Sequence, residues 1–126
     1  MTVGANRALV ARLIDEVFNG GRLELLDELA APGMVAGGKG YLAERRRRFP
    51  DLRYTVEDVI AEGDRVVTRL RMHGTDLGDF GGRAPTGRAV EADAVFIWRI
   101  AEGRVVDMWS LIDHRTVERQ LGLYPG

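Results

Sequence analysis

The residues most able to do chemistry lie near the end of the chain. Gly103-Arg104-Val105-Val106-Asp107-Met108-Trp109-Ser110-Leu111-Ile112-Asp113-His114 reads as a strand, launched by the turn Ala101-Glu102-Gly103. Strict two-residue alternation puts Val105, Asp107, Trp109, Leu111 and Asp113 on one face. A carboxylate beside Trp109 and Leu111 is in the kind of surroundings that raise a carboxyl pKa. An Asp so raised can take and return a proton near neutral pH. The competing reading is that Asp113 caps the helix that follows it, and the residues alone favour this cap.

Other reactive types are scarce. The chain has no Cys, so it carries no disulfide, thiolate nucleophile or Cys metal ligand. His73 and His114 are its two histidines, too few for a three-His metal site. His73 shares a strand face with Arg69 and Arg71 and reads as a sheet-surface residue. His114 follows Asp113 directly, so its side chain is expected to point away from it. Arg45-Arg46-Arg47-Arg48 looks like a nucleic-acid patch, but a helix spreads the four around its axis and no aromatic platform accompanies them. Asp79-Phe80-Gly81 matches a kinase metal triplet by chance, because the chain lacks a phosphate-binding glycine loop. Gly37-Gly38-Lys39-Gly40 reads as a connector.

Composition narrows the class. At 126 residues the chain is one domain, residues 1–126, with enough length to bury a core unaided. Lys and Arg total 18 against 19 Asp and Glu, a net charge of -1, which argues against nucleic-acid binding. No secretory signal and no apolar run of membrane-spanning length is present, so a soluble cytoplasmic protein is expected, without nucleic-acid or membrane partners.

The elements follow from periodicity. Leu9, Val10, Leu13, Ile14, Val17 and Phe18 recur at helical spacing over residues 5–18, and Asn19-Gly20-Gly21 stops that helix. Residues 23–29 suit a second short helix. Met34-Val35 reads as a short strand, residues 37–40 as a loop, and residues 41–49 as a third helix ended by Pro50. Near Leu52 the period changes to two. Residues 52–61 alternate around Tyr54, Val56 and Val59, and Glu62-Gly63-Asp64 is a hairpin turn. Residues 65–74 put Val66, Thr68, Leu70 and Met72 on one face. Residues 75–88 form a long loop. Residues 89–100 put Ala92, Ala94, Phe96 and Trp98 on one face. The Trp109 strand follows, then a helix over residues 114–121. Helices first and an antiparallel meander after make an α+β domain, its sheet curled into a cone over three N-terminal helices. The open end of such a cone is a natural pocket.

This pattern resembles the SnoaL-like polyketide cyclases of the nuclear transport factor 2-like superfamily, over nearly the whole chain. The resemblance rests on residues 6–10 with Phe18-Asn19-Gly20-Gly21, on residues 26–32, and on Phe49-Pro50-Asp51-Leu52-Arg53-Tyr54. It continues through Gly63-Asp64-Arg65-Val66-Val67, residues 74–80, Pro85-Thr86-Gly87-Arg88, Gly103-Arg104-Val105-Val106, and Asp113 with Gln120-Leu121-Gly122. It implies a cone-shaped fold, often oligomeric, and an aldol-type ring closure of a polyketide ester without cofactor or metal. It also implies Asp113 as the catalytic acid/base and so outweighs the cap reading. The expected substrate is small and apolar or aromatic. Its contacts are expected among Trp109, Leu111, Phe96, Trp98, Leu70, Met72, Tyr41, Tyr54 and Ser110. Tyr41, Tyr54, Thr68 and Ser110 are the candidates for a second polar group. A homo-oligomer, dimer or tetramer, is expected through the sheet face that carries Arg69, Arg71, His73, Val95, Ile97 and Arg99, with ion pairs to Asp93.

The chain departs from the family pattern in three places. Ala36-Gly37-Gly38 supplies none of the polar residues, often a His, that many relatives carry there. Asp76 stands where the family has His. Phe96 stands where an Asp is frequent. A more apolar pocket follows, and two alternatives stay open: an isomerase or hydrolase of another small apolar substrate, or a non-catalytic ligand-binding protein.

Overall fold

The computed structural model describes residues 2–78 and 82–123; Asp79, Phe80 and Gly81 lie outside the described residues. Helix α1, Val3–Arg12, starts at Thr2, whose hydroxyl accepts the backbone N–H of Ala5 at 3.0 Å. A π-helical stretch, Leu13–Asn19, continues it. Its buried residues, Leu13, Ile14, Val17 and Phe18, are those the periodicity selects. A 3₁₀ turn, Leu23–Leu25, leads into α2, Leu26–Leu29.

The third helix corrects the sequence reading. Residues 34–35 are not a strand and residues 37–40 are not a loop: one helix, α3, runs Pro32–Arg48. Pro32 stands in its first turn, where a missing N–H is harmless. Glycines disfavour a helix interior only weakly, so packing overrides them. At Gly38 a side chain's Cβ would come 3.2 Å from Leu26 Cδ1, so the glycine lets α2 and α3 close up.

The four arginines at the end of α3 do separate work. Arg46 donates to the carbonyls of Phe18 and Asn19, the latter at 2.7 Å, and so closes the end of the π-helical stretch. Arg45 stacks over the Tyr41 ring at 5.2 Å and Arg48 over Phe49 at 5.1 Å. Arg47 is exposed.

Four antiparallel strands follow in the order β1 (Arg53–Glu62), β2 (Arg65–Thr75), β3 (Ala89–Ala101) and β4 (Arg104–Ile112). The sheet is curved and unclosed, and its concave face holds Val66, Thr68, Leu70, Met72, Ala92, Ala94, Phe96 and Trp98, all buried against the helices. Two bulges set which side chains enter the cone. In β1 the register shifts between Val56 and Asp58, which lets Val56 and Val59, an odd number apart, both turn inward. In β4 the register shifts across Val106: Ile100 faces Val105, but Arg99 faces Asp107.

Helix α4, His114–Gln120, covers the part of β3 that extends beyond β4. Gln120 accepts the N–H of Glu91 at 2.8 Å and donates to its carbonyl at 3.0 Å, so one side chain takes the place of a strand partner. The loop after β2 is tied to the end of α3. The N–H groups of Leu77 and Gly78 both reach the Arg48 carbonyl, at 3.2 and 3.1 Å. The buried Asp76 accepts from Thr86 N at 3.1 Å and Thr86 Oγ1 at 2.9 Å, and lies 3.5 Å from Arg83 and 3.9 Å from Arg48. Burial pushes its pKa up, but the Thr86 bonds and the two arginines outweigh that and hold it below the ordinary value.

Candidate functional site: a cleft between α3 and α4

The inside of the cone is full. Phe18, Tyr54, Phe96 and Trp98 pack edge-on or tilted, with ring centroids 5.6 to 5.8 Å apart. Leu70, Met72 and Phe96 are fully buried in this core rather than presented to a ligand. Thr68 is committed too: it accepts the Trp98 indole N–H at 3.0 Å and donates to the Phe96 carbonyl at 3.4 Å. What space is left is a crevice of about 60 Å³, walled by Phe18, Leu26, Met34, Tyr41, Trp98 and Met108. That is far below the roughly 300 Å³ at which ligand pockets begin.

The β4 bulge corrects the expected site face. Val106 is the extra residue, so the alternation reverses after Val105. Met108, Ser110 and Ile112 now oppose Trp98, Phe96 and Ala94 on the concave side. Trp109 and Leu111, expected in the pocket, instead oppose Ile97 and Val95 on the convex side, 53% and 61% exposed.

Asp113 is likewise not where a desolvated acid/base would be. It is exposed and caps α4, accepting the Thr116 N–H at 3.1 Å and the Thr116 hydroxyl at 2.6 Å. Those two bonds hold its pKa below the ordinary carboxylate value, the reverse of the expected rise. With Asp93, Val95, Leu111 and His114 it lines a depression of about 480 Å³ where β4 runs into α4, outside the aromatic core. The charged form is stabilised because the carboxylate accepts two hydrogen bonds and loses little solvent.

The cap has a second effect. It starts α4 at His114, and the turn swings that imidazole to the end of α3. There a cleft of about 340 Å³ is lined by Tyr41, Glu44, Arg45, Arg48, Phe49 and His114. Partial burial lowers the His114 pKa, and Arg45 and Arg48 lower it further, against opposing pulls from Glu118 and Asp113. The ring is therefore neutral at pH 7, with a nitrogen lone pair available. Sequence reading missed His114 because it put Asp113 in the pocket and so turned His114 away from it; the β4 bulge removes that premise.

Tyr41 lines both this cleft and the apolar crevice, so it is the wall the two share. Tyr54, by contrast, is buried to 2% exposure; burial drives its pKa up, helped by the neighbouring Tyr41. Its hydroxyl makes no hydrogen bond of good geometry among the described residues. Ser110 faces the concave side yet is exposed, which marks an open rim there. Among the described residues no three His, Asp or Glu side chains converge to hold a metal.

The model of the SnoaL-like polyketide cyclase family matches residues 8–121. The chain belongs to this family. Solved structures agree with the SnoaL-like assignment. IdmH of Streptomyces antibioticus, a proposed polyketide cyclase, is 33% identical over 93% of this chain and 98% of its own, with a TM-score of 0.83. A proposed SnoaL-like polyketide cyclase of Jannaschia sp. CCS1 is 28% identical over 97% and 94%, with a TM-score of 0.88. AclR of Streptomyces galilaeus, a proposed hydroxylase, is 27% identical over 99% and 85%, with a TM-score of 0.89. No curated protein matches the SnoaL-like chain in sequence. Among the described residues, no helix of this SnoaL-like domain is long and apolar enough to cross a membrane.

Proposed function

We propose that this SnoaL-like domain is a cofactor-independent enzyme that closes a ring on a polyketide-derived substrate in the α3–α4 cleft, with His114 as the proton-transfer group. The observation that carries this is the placement of His114 and Tyr41 together in one cleft of ligand size. The imidazole removes the proton from a carbon flanked by two carbonyls. The resulting enolate forms a carbon–carbon bond to a ketone of the same molecule, and that C=O becomes an alkoxide. The imidazolium then returns the proton to the alkoxide oxygen, so the product is an isomer of the substrate. Tyr41 O–H hydrogen-bonds the ketone oxygen as its charge develops. Of the candidate hydroxyls it alone faces the cleft with its ring: Thr68 is already bonded, Tyr54 is sealed in the core and Ser110 lies at the rim. Asp113 keeps the start of α4 in place and so fixes where His114 stands.

The test is incubation with an anthraquinone carrying a β-diketone side chain. Chromatography and mass spectrometry should find a ring-closed product of unchanged mass from the wild type and far less from His114→Gln. Equal product from the two proteins would overturn the assignment. A second reading, ligand binding without turnover, is favoured by one observation: the aromatic core fills the cone in which the reaction was expected.

We also propose that a second copy covers the convex sheet face. Ile60, Val67, Ile97 and Trp109 form one row across all four strands, each directly opposite the next. Ile60 is 62% exposed, and Leu111 extends the patch. Arg71, bonded to Asp93 at 2.9 Å and Glu91 at 3.1 Å, edges it with charge.

A further inference from the structure

From a hydroxyl left over in the core we infer that Tyr54 is a positioning residue, which donates its O–H to the Tyr41 oxygen and so turns the Tyr41 O–H out into the cleft. This rests on Tyr41 being the donor that meets the ligand, and adds the group that aims it. Tyr54 is 2% exposed, and its oxygen is buried without a well-aligned hydrogen bond among the described residues. A phenol sealed away with its polar end unanswered costs free energy, so a partner close at hand stabilises the fold. Tyr54 itself is not free to turn toward one. Asn19 clamps its backbone, accepting the N–H at 2.7 Å and donating to the carbonyl at 2.9 Å. Phe18 and Phe96 hold its ring, with centroids 5.7 and 5.8 Å away. The side that moves to complete a pair is therefore the other residue.

Tyr41 is that residue. Beyond burial, Tyr41, Arg45 and Arg46 act on the Tyr54 phenol, and of these Tyr41 does so as a hydrogen-bond partner. Arginine carries donors only, so neither guanidinium can take the Tyr54 proton, whereas the Tyr41 oxygen can. Tyr41 is half-buried and lines the cleft, with Arg45 stacked on its ring. The bond between two phenols has two possible directions, and burial decides between them. With Tyr41 donating, the Tyr54 proton is left unpaired in the core. With Tyr54 donating, the remaining proton belongs to Tyr41, at the cleft, where water or a ligand accepts it. A phenol whose oxygen already accepts a bond is polarised into a stronger donor. Its O–H is also aimed before the ligand arrives, as stabilisation of a developing charge requires.

The test compares the wild type with Tyr54→Phe, Tyr41→Phe and the double variant, changes that remove hydroxyls and keep the rings. In chemical denaturation the two single changes should be non-additive by about 5-fold in the unfolding equilibrium constant, the range for one neutral hydrogen bond. In proton NMR the Tyr54 hydroxyl should give a slowly exchanging signal that moves upfield in Tyr41→Phe. In the ring-closure assay Tyr54→Phe should lower kcat by roughly 3- to 10-fold with KM unchanged, and should have no effect once Tyr41 is Phe. A residue that only fills the core would move none of these. Additive stabilities, or a Tyr54 signal that ignores Tyr41→Phe, overturn the hydrogen bond. Wild-type kcat in Tyr54→Phe overturns the positioning role. Full turnover in Tyr41→Phe, or no product from the wild type, overturns the reading of the cleft and the positioning role with it. The denaturation and NMR measurements still judge the bond itself in that case, so the two failures are told apart.

Discussion

Asp113, the expected acid/base, caps α4 instead, and in the proposed function His114 beside it takes the proton. The carboxylate is spent on Thr116, and the imidazole is delivered to the cleft. Replacing His114 with Gln should lower turnover by roughly 10²–10⁴-fold, the usual contribution of a positioned acid/base, with melting temperature nearly unchanged. Replacing Asp113 with Asn should leave turnover close to wild type, because Asn caps as well as Asp. If Asp113→Asn abolishes turnover and His114→Gln spares it, the roles are reversed. The pH profile checks the same point. His114 acts as a base only when unprotonated, and its pKa lies below the ordinary 6.5. Turnover should therefore be at its plateau at pH 7 and fall only as pH drops through a value under 6.5. A rising limb centred above 6.5 in kcat/KM, which reports the free protein, would contradict a base whose pKa is lowered.

At the scale of elements, the cleft depends on the end of α3 being held. The loop after β2 does this by bringing two N–H groups to the Arg48 carbonyl and Asp76 to the arginines. Gly78 makes the approach possible: a Cβ there would stand 1.4 Å from the Arg47 carbonyl oxygen, which is backbone and cannot swing away. Gly78→Ala should thus destabilise the fold by roughly 1–3 kcal/mol, the range for overpacking, and widen the cleft. Chemical denaturation measures the first effect and ligand affinity the second. A stable variant with unchanged affinity would show that the loop does not brace the helix. The bulges belong to this scale as well. The periodicity of β2 and β3 is legible because both strands are regular. In β4 one inserted residue, Val106, turns a correct strand assignment into an inverted face.

For the whole molecule, the proposed second copy rests on the convex face. Trp109, Leu111 and Ile60 are large, apolar and exposed on one side of the sheet. The isolated chain should sediment as a dimer at about 10–50 μM, a concentration at which even a micromolar interface is mostly formed. Trp109→Arg should shift it to monomer without unfolding, as sedimentation and circular dichroism would record together. A monomeric wild type at that concentration would overturn the second-copy reading. Dimerisation and the cleft are separable, since Trp109 is on the convex side and Tyr41 on the concave side.

By itself the sequence determined the helix-then-meander order, the three N-terminal helical segments, the curved antiparallel sheet and the family. Those depend on local periodicity and turn residues, which are written into short windows such as Leu9 to Phe18 and Arg65 to Gly74. It also put the apolar Phe96 on the concave face; of Ala36-Gly37-Gly38, however, Ala36 and Gly37 are exposed on α3 and Gly38 lines the crevice. Tertiary structure alone decided that α3 is continuous across its glycines, since packing on α2 outweighs a weak propensity. It alone decided that the aromatic side chains fill the cone, a matter of summed volumes that no pattern reports. The residues alone favour Asp113 as a helix cap, as its Thr116 bonds bear out, but tertiary structure decided that Trp109 and Leu111 face outward and that His114 reaches the cleft, because a single bulge sets directions that alternation cannot predict.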